Sequence, residues 1–456
     1  MRSVRPYGGK IWLPPETARP AFVDRLLAST DGPRLSASAQ GSGTVIGKDG
    51  PLPRTANWTH QYGDMANTVK SDDELVKLPL GVLWFGGVSN HDVLPRHGHG
   101  PPEQIVDGRL IIEGMDLISA RDVYTGRVLW KAPLDKSDTF GQYYDESYQD
   151  LPLSTIYYQV HLPGANARGT NFVATSDWVY VVQGNRCLLL DIATGEKKKA
   201  FTLPRENGVE AERWGYIGIS GDRLIAGRDF VPFESANPET ALQPEETASM
   251  RERDRDRLKV FGRFDLTASK SLVVMDRQTG AVKWTLKARY GFIHNAITSG
   301  GGMLFCLDKL PPGLEKRLER RGQELPADYR MLALDLETGR VLWERNTGVF
   351  GSWLSYSREH DRLLQATRPS RDMITDEPGA RMAVYVASTG APVWDRPIKY
   401  NNPPILHHDE IITDNAAYYL ATGERKHTAD PLTGEPMPWH YTRAYGCNYN
   451  IASEYL

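Results

Sequence analysis

The chain has 456 residues and a formal net charge of −3, from 54 basic and 57 acidic side chains. This balance excludes the basic excess that is typical of nucleic-acid-binding proteins, and no apolar run is long enough to cross a membrane. The 11 tryptophans, 42 glycines and 30 prolines indicate many short strands joined by turns.

The first 53 residues are predicted to form an N-terminal extension to a larger unit at residues 54–456. A helix is expected at residues 22–29, with the sequence FVDRLLAS. The N-terminus lacks the apolar stretch of a signal peptide.

A repeated motif dominates the rest of the chain. The pattern Asp-x-x-Thr-Gly-x-x-x-Trp occurs without error at residues 122–130, 276–284 and 335–343. Three further copies are degraded: DIATGEKKKAF has Phe201 near the tryptophan position, VASTGAPVW ends at Trp394, and DPLTGEPMPW ends at Trp439. Self-similarity of this kind predicts a repeat architecture.

Each part of the motif has a physical role. The aspartate can accept hydrogen bonds from turn amides, and Thr-Gly supplies the residue with positive φ that a tight hairpin needs. The tryptophan then covers apolar surface on a neighbouring sheet. Apolar runs before each copy read as strands, which gives units of four strands, A to D, with the motif between C and D. The docking side chains are expected to be Trp130, Trp284, Trp343, Trp394 and Trp439.

The motif resembles the tryptophan-docking repeat of PQQ-like, quinoprotein-type propellers, which include quinoprotein alcohol dehydrogenases and an outer-membrane assembly scaffold of bacteria. The segments NWTHQYGDMANT (57–68) and LGVLWFGG (80–87) are similar in style to the start of such propellers. The resemblance implies an all-β fold, a β-propeller of four-stranded antiparallel blades. Six blades are recognisable, with the start of a seventh, and the complete ring would have seven or eight. It also implies that the N-terminal strand closes the ring against the last blade.

The resemblance is closest to large planctomycete-type bacterial propeller proteins. In some of these the propeller follows a Rossmann methyltransferase domain, so residues 1–53 are expected to be the tail of such a domain. The last residues, YGCNYNIASEYL, read as the opening of a blade that stops, which predicts a fragment of a longer chain that is truncated at its C-terminus.

The candidate site lies where the first residues of each strand A meet at the central channel. These residues form a predicted polar, aromatic-walled funnel, in which arginine and asparagine could hold carboxylates or carbonyls and an indole could stack on a planar ring. Such a funnel suits a quinone cofactor or a small anionic or planar ligand; alternatively, the same side chains satisfy loop backbone groups and plug the channel. The residues are Arg96, His97, His99, Asn166, Arg168, Trp214, His294, Asn295, Trp353, His407, Arg443, Cys447 and Asn448.

No metal site is predicted. His97-Gly-His99 has no third ligand in its motif, and His407 and His408 would point to opposite faces of an extended strand. The cysteines form no CxxC pair, and Cys187 and Cys306 fall in apolar strands, where a core position is expected.

The cofactor stays unknown. Quinoprotein dehydrogenases hold calcium with Glu, Asn and Asp and carry a vicinal Cys-Cys pair. This chain has no such pair and no recognisable calcium set, although PQQ with calcium remains an alternative.

Three functions are therefore kept. The first is a propeller that binds a ligand or a protein partner as a scaffold of unknown specificity. The second is a PQQ-dependent alcohol or sugar oxidoreductase with its site in the funnel, and the third is the propeller portion of a methyltransferase fusion. PQQ-like propellers are usually periplasmic or envelope proteins, whereas the missing export signal leaves the cytoplasm as the alternative.

Overall fold

The computed structural model describes residues 4–28, 34–85, 92–93, 102–114, 117–134, 169–211, 213–232, 264–369, 377–441 and 450–456. Antiparallel strands dominate these residues, and two short helices accompany them. Neither helix is both long enough and apolar enough to cross a bilayer.

The N-terminal extension contains a small antiparallel sheet of its own, in the order β1-β3-β2. Its elements are β1 (Gly9–Leu13), α1 (Pro20–Leu27), β2 (Arg34–Gln40) and β3 (Gly43–Asp49). Helix α1 begins at a proline, which needs no hydrogen-bond acceptor at the first helical position. It overlaps the predicted helix at residues 22–27.

The next two sheets are four-stranded antiparallel meanders. The first consists of β4 (Gln104–Val106), β5 (Arg109–Gly114), β6 (Leu117–Asp122) and β7 (Val128–Pro133). The second consists of β8 (Phe172–Ala174), β9 (Trp178–Gln183), β10 (Arg186–Asp191) and β11 (Lys197–Thr202).

A seven-stranded sheet follows, and it combines two four-stranded units that share one long strand. The start of β15 pairs with β14 as an outer strand, and its end pairs with β16 as an inner strand. The elements are β12 (Trp214–Ser220), β13 (Arg223–Pro232), β14 (Phe264–Asp276), β15 (Val282–Gly300), β16 (Met303–Asp308), α2 (Pro312–Arg320), β17 (Arg330–Asp335) and β18 (Val341–Arg345).

The remaining sheets become smaller towards the C-terminus. A four-stranded sheet is formed by β19 (Trp353–Ser357), β20 (Arg362–Ala366), β21 (Met382–Val386) and β22 (Pro392–Arg396). A three-stranded sheet of β23 (Ile405–His407), β24 (Glu410–Ile412) and β25 (Ala417–Tyr419) precedes the hairpin of β26 (His427–Ala429) and β27 (Pro436–Pro438).

The Thr-Gly corners lie between the third and fourth strands of their units. At the first corner the Asp122 carboxylate accepts the amides of Tyr124 and Thr125, and Gly126 has a φ of +70°. Its backbone amide donates to the Asp122 carbonyl at 2.8 Å. The corners that begin at Asp276 and Asp335 repeat this arrangement.

Aromatic side chains join each sheet to the next at these corners. An indole Nε1 donates to the carbonyl just after the first corner residue, and the ring covers the corner glycine of the neighbouring sheet. The pairs are Trp84 with Val123, Trp130 with Ile192, Trp284 with Leu336, Trp343 with Ala387 and Trp394 with Leu420, at 2.8–2.9 Å. Phe201 covers Gly280 in the same way without a hydrogen bond from its ring.

The three-stranded sheet of β23, β24 and β25 differs from the sequence-based expectation. Its corner is Thr422–Gly423, where Trp394 docks, whereas the expected corner at Gly434 belongs to the separate β26–β27 hairpin. The Thr422–Gly423 corner follows a tyrosine instead of an aspartate, which explains why the motif missed it.

The sheets are arranged around a central axis. Inner strands from four different sheets bond to one segment of the chain, described below, so these sheets surround it instead of stacking in a line. The predicted all-β propeller of antiparallel blades is confirmed.

Candidate functional site

The channel is crossed by residues 57–71, which we name the hub segment. Its backbone and side chains bond to the inner strands β4, β12, β15, β19 and β23. The hydrogen bonds are Trp58 N to Ile105 O at 2.8 Å, Ile219 N to His60 Nε2 at 3.0 Å, Ser299 N to Met65 O at 2.9 Å, Tyr356 N to Ala66 O at 2.9 Å and Leu406 N to Thr68 O at 2.9 Å. These bonds satisfy inner-strand groups that would otherwise be open sheet edges.

The end of the hub segment also meets the C-terminal residues. Val69 O accepts from the Ala452 amide at 3.2 Å, and the Ser71 amide donates to Ala452 O at 2.8 Å. The resemblance implied that the N-terminal strand closes the ring against the last blade. Residues 57–71 lie beside the inner strands and bond to Ala452, while Trp84 further along docks on the first sheet.

Asn67 ties two sheets together from the hub segment. Its Nδ2 lies 3.4 Å from the carbonyl of Asn295, 3.2 Å from that of Ile297 and 3.1 Å from that of Leu354. The residue has a φ of +54°, a conformation that asparagine tolerates better than most residues. Its side chain therefore bridges β15 and β19.

A small cleft that opens to solvent lies between the hub segment and the inner strands. It brings together side chains that are far apart in sequence. Its described lining residues are His60, Gln61, Tyr62, Asp64, Met65, Asn67, Gly169, Thr170, Tyr216, Ile217, His294 and Asn295.

Asp64 is the one acidic side chain in this described lining, which includes no lysine or arginine. Its Oδ1 accepts the Ala66 amide at 3.0 Å and the Thr68 amide at 3.4 Å. Burial raises the pKa of the Asp64 carboxyl to about 6, against the lowering effect of these hydrogen bonds. Asp64 is thus a buried acidic group at the cleft whose charge appears only above its usual pH range.

His60 is held neutral beside it. Burial lowers the pKa of the imidazole to about 4, and its Nε2 accepts the Ile219 amide. The other ring nitrogen lies 2.8 Å from Thr59 Oγ1. Both ring nitrogens are thus occupied, and His60 acts as a fixed wall of the cleft.

His294 and Asn295, two of the predicted funnel residues, line the cleft from β15. His294 Nε2 lies 2.7 Å from Ser269 Oγ, and its ring lies between those of Tyr216 and Phe230 at centroid distances of 5.6 and 6.0 Å. Tyr216 OH in turn donates to Met65 Sδ at 3.6 Å. This cluster forms the aromatic side of the cleft.

The two predicted tryptophans of the funnel do not line the cleft. Trp353 begins β19 and packs edge-on against Tyr62 with ring centroids 4.7 Å apart, so it supports the hub segment from behind. Trp214 begins β12 but is buried in the core between two sheets. Strand starts converge on the channel, whereas their side chains alternate between faces.

His407 lies at the opposite end of its strand from the one expected. It is the last residue of β23, in the turn to β24, whereas His294 and Asn295 open the inner half of β15. His408 in this turn has a φ of +52°, so the two rings meet edge to face with centroids 4.8 Å apart instead of pointing apart. The alternation expected for an extended strand does not apply to a turn.

The other predicted funnel residues lie outside the described part of the chain. They are Arg96, His97, His99, Asn166, Arg168, Arg443, Cys447 and Asn448. Cys187 and Cys306 are buried in the core, and burial raises the pKa of both thiols.

Trp439 lies in the outer hairpin. Its ring faces Tyr441 at 5.6 Å, and Gly434 of the same hairpin has no ring against it. Trp130, Trp284, Trp343 and Trp394 occupy the sheet-to-sheet positions described above.

Sequence reasoning missed the hub residues His60, Tyr62 and Asp64. A signal was present, because NWTHQYGDMANT concentrates hydrogen-bonding side chains in a segment without the alternation of a strand. Such a segment needs partners in other elements, and the channel supplies them.

Comparison with known proteins supports the repeat assignment. Residues 240–403 match the family of the outer membrane protein assembly factor BamB, a PQQ-type repeat family. The match covers less than half of the chain and shows similarity to this family over residues 240–403 alone. No curated protein sequence matches the chain.

Solved structures show the same general likeness. BamB from Moraxella catarrhalis is 12% identical, with a TM-score of 0.36 over 81% of this chain and 78% of that one. The quinohemoprotein alcohol dehydrogenase from Comamonas testosteroni is 12% identical, with a TM-score of 0.42 over 88% and 74%. A europium-containing methanol dehydrogenase is 10% identical, with a TM-score of 0.42 over 87% of each chain. None of these values bears on activity.

Proposed function

We propose that this propeller is a binding module that holds a small polar ligand, neutral or cationic, in the cleft between the hub segment and the inner strands. The observation that carries the proposal is the composition of the cleft. Polar and aromatic groups from the hub segment, β12 and β15 converge there, and the charge they include is that of Asp64. Concave sites with a few convergent polar groups are the usual form of small-ligand sites.

The alternative of a PQQ-dependent oxidoreductase finds less support in this lining. PQQ is a planar polycarboxylate, and carboxylates are bound by arginine, lysine or clustered N–H donors. The described lining offers a carboxylate of its own, which repels such a ligand, and neutral His60, whose ring nitrogens are already engaged. These residues do not fit the cofactor.

Calcium also lacks a ligand set in the described residues. Calcium takes six to eight oxygen ligands. Glu113 and Asn171 meet at 3.1 Å as a buried carboxylate–amide pair. Among the described residues, the one group of three His, Cys, Asp or Glu side chains close enough to share an ion lies elsewhere. The pair alone offers too few ligands for the ion.

The proposal is tested with three probes of one shape and different charge: benzamidine, benzamide and benzoate. Binding to the purified chain is measured by calorimetry and thermal shift. We expect benzamidine to bind most tightly and benzoate least tightly, because Asp64 attracts a cation in a partly desolvated cleft. PQQ with calcium is expected to give no thermal shift.

Two matched variants locate the binding. Asp64→Asn keeps the shape of the cleft and should abolish the preference for benzamidine over benzamide. Asp24→Asn makes the same change on the exposed surface of helix α1 and should leave the order unchanged. The proposal is wrong if none of the probes binds, or if PQQ with calcium stabilises the chain.

A further inference from the structure

A second cluster of side chains that can bind a metal lies away from the cleft, at the turn between β23 and β24. His407 and His408 occupy the β23–β24 turn, and Glu454 reaches them from residues 450–456. One ligand atom of each residue lies within 4.8 Å of those of the other two. We name these three residues the His-His-Glu cluster.

Each imidazole of the cluster already has one ring nitrogen fixed by an acceptor. His408 Nδ1 lies 3.1 Å from Glu359 Oε2, and His407 Nε2 lies 3.2 Å from the Ser453 carbonyl. Histidines that bind metals almost always donate their second ring N–H to a carboxylate or a backbone carbonyl, which fixes the tautomer and the ring orientation. Among the described residues, this pattern leaves His407 Nδ1 without a hydrogen bond, while His408 Nε2 is bonded to Glu454, the third residue of the cluster.

The carboxylate of the cluster is oriented in the same way. Glu454 Oε1 lies 2.8 Å from His408 Nε2, and Oε2 lies 3.0 Å from Lys70 Nζ. The Lys70 side chain is 8% exposed, so it is held in place by its surroundings. This ion pair keeps Oε1 directed at the imidazole, where a metal ion would replace the shared proton.

The local charge favours a cation. Glu359 and Glu454 carry two negative charges, and Lys70 contributes one positive charge. The positive φ of His408 turns its ring toward that of His407, with the rings 88° apart. Two imidazoles and one carboxylate form a donor set that suits zinc, cobalt or nickel better than calcium or magnesium.

We propose that the His-His-Glu cluster binds one divalent transition-metal ion of the zinc type, through His407 Nδ1, His408 Nε2 and the Glu454 carboxylate. Zinc bonds of about 2.0–2.2 Å in a tetrahedron require the ligand atoms to approach one another to roughly 3.3 Å. The exposed or partly buried side chains of a turn can make this movement by rotation. A fourth position stays open for water.

The ion would connect three parts of the molecule. His407 and His408 belong to the β23–β24 turn, Glu454 to the C-terminal residues, and Glu359 to the neighbouring turn between β19 and β20. Through Lys70 the site also reaches the hub segment. Metal binding is therefore expected to stabilise the contact between the sheet of β23, β24 and β25 and the hub segment.

The test uses chelator-treated protein without a histidine tag. Calorimetry with Zn²⁺ at neutral pH is expected to show saturable binding of one ion per chain. Co²⁺ is expected to give the visible absorption bands of a four-coordinate ion, whereas Ca²⁺ and Mg²⁺ are expected to give no binding heat.

Variants separate ligands from their supports. His408→Ala and Glu454→Gln should each weaken Zn²⁺ binding by at least about 100-fold. Glu359→Gln, which alters only the support of His408, should weaken it by about 10–100-fold. His427→Ala, which removes an exposed histidine of the β26–β27 hairpin, is the control and should bind like the wild type.

The apo variants are first compared with the apo wild type by circular dichroism and thermal unfolding, so that loss of binding is not loss of fold. If His408→Ala proves unstable, His408→Gln and the Co²⁺ spectrum take its place. Absence of saturable Zn²⁺ binding, or its retention in both His408→Ala and Glu454→Gln, overturns the proposal. Neither result affects the cleft, which has none of these residues.

Discussion

Asp64 and His60 lie four residues apart in the hub segment, and burial moves their pKa values in opposite directions. Desolvation disfavours the charged form of each, so the carboxyl pKa rises to about 6 and the imidazole pKa falls to about 4. Near pH 5 both groups are mostly uncharged. Above pH 6 the cleft gains the negative charge on which ligand selection depends.

Asp64→Asn should remove one part of the pH dependence of stability. A carboxyl whose pKa is raised on folding, here from 3.8 to about 6, favours the folded state fully below pH 3.8 and loses this contribution as pH rises through 6. The variant keeps an oxygen to accept the Ala66 and Thr68 amides but carries no charge. We expect it to be more stable than the wild type at pH 7.5 and to lose that advantage near pH 4.

Urea denaturation at several pH values measures this difference. The comparison must be between wild type and variant, because His60 adds a slope of the opposite sign in both: its lowered pKa costs stability as pH falls from 6.5 towards 4. Parallel curves for the two proteins would show that the Asp64 carboxyl titrates normally.

At the level of the elements, the corners combine a local turn with a contact to the next sheet. Gly339 and Gly434 both follow Asp-x-x-Thr and have φ values of +70° and +76°. In both turns the aspartate carboxylate accepts the threonine amide. A Cβ at Gly339 would lie 2.6 Å from the Trp284 ring, whereas a Cβ at Gly434 would have no atom within 4 Å. Alanine substitutions at these two glycines therefore separate two free-energy costs. One is the cost of a side chain at a left-handed turn position, and the other is the cost of displacing the docked indole.

Gly434→Ala should lower the free energy of unfolding by about 1–2 kcal/mol, the cost of left-handed backbone for a residue with a Cβ. Gly339→Ala should cost a further roughly 1–3 kcal/mol, because the methyl group displaces the indole and strains its hydrogen bond to Leu336. Chemical denaturation measures both. If both variants lose the same free energy of unfolding, the docking of the Trp284 indole does not require a glycine at position 339.

The corners also show how much of the fold could be predicted from the sequence. The Asp-x-x-Thr-Gly corners, the strands before them and the docking of Trp284 or Trp343 follow from local turn chemistry and alternation, which residue types encode directly. The Thr422–Gly423 corner was missed because Tyr419 replaces the aspartate. Trp84 was missed as a docking residue because no corner precedes it.

The site was less predictable than the fold. His294 and Asn295 were predicted because they open an inner strand half, and they line the cleft. Trp214 lies in the core and His407 at the end of its strand, because strand register and strand ends are not visible in composition. The hub segment bonds mainly through backbone carbonyls and Asn67, and such contacts leave no spacing pattern in the sequence.

At the scale of the whole molecule, the hub segment connects several sheets at once. Corner docking links each sheet only to the next one, whereas carbonyls of Met65, Ala66 and Thr68 bind inner strands of three different units within four residues. A disturbance of the hub segment should therefore reach several sheets at once. Asn67 is the suitable position, because its side chain bridges β15 and β19.

Asn67→Gly removes this bridge while keeping the backbone conformation, since glycine accepts the φ of +54°. The carbonyls left without their donor cost about 1–3 kcal/mol, which corresponds to about 5- to 150-fold faster exchange wherever the hub contacts open. We expect hydrogen exchange to accelerate together at the amides of Ser299, Tyr356 and Leu406. Asn207→Gly, the same change at an exposed residue with a φ of +50°, is the control and should leave these amides protected. Faster exchange in β15 alone would mean that the hub segment does not couple the sheets.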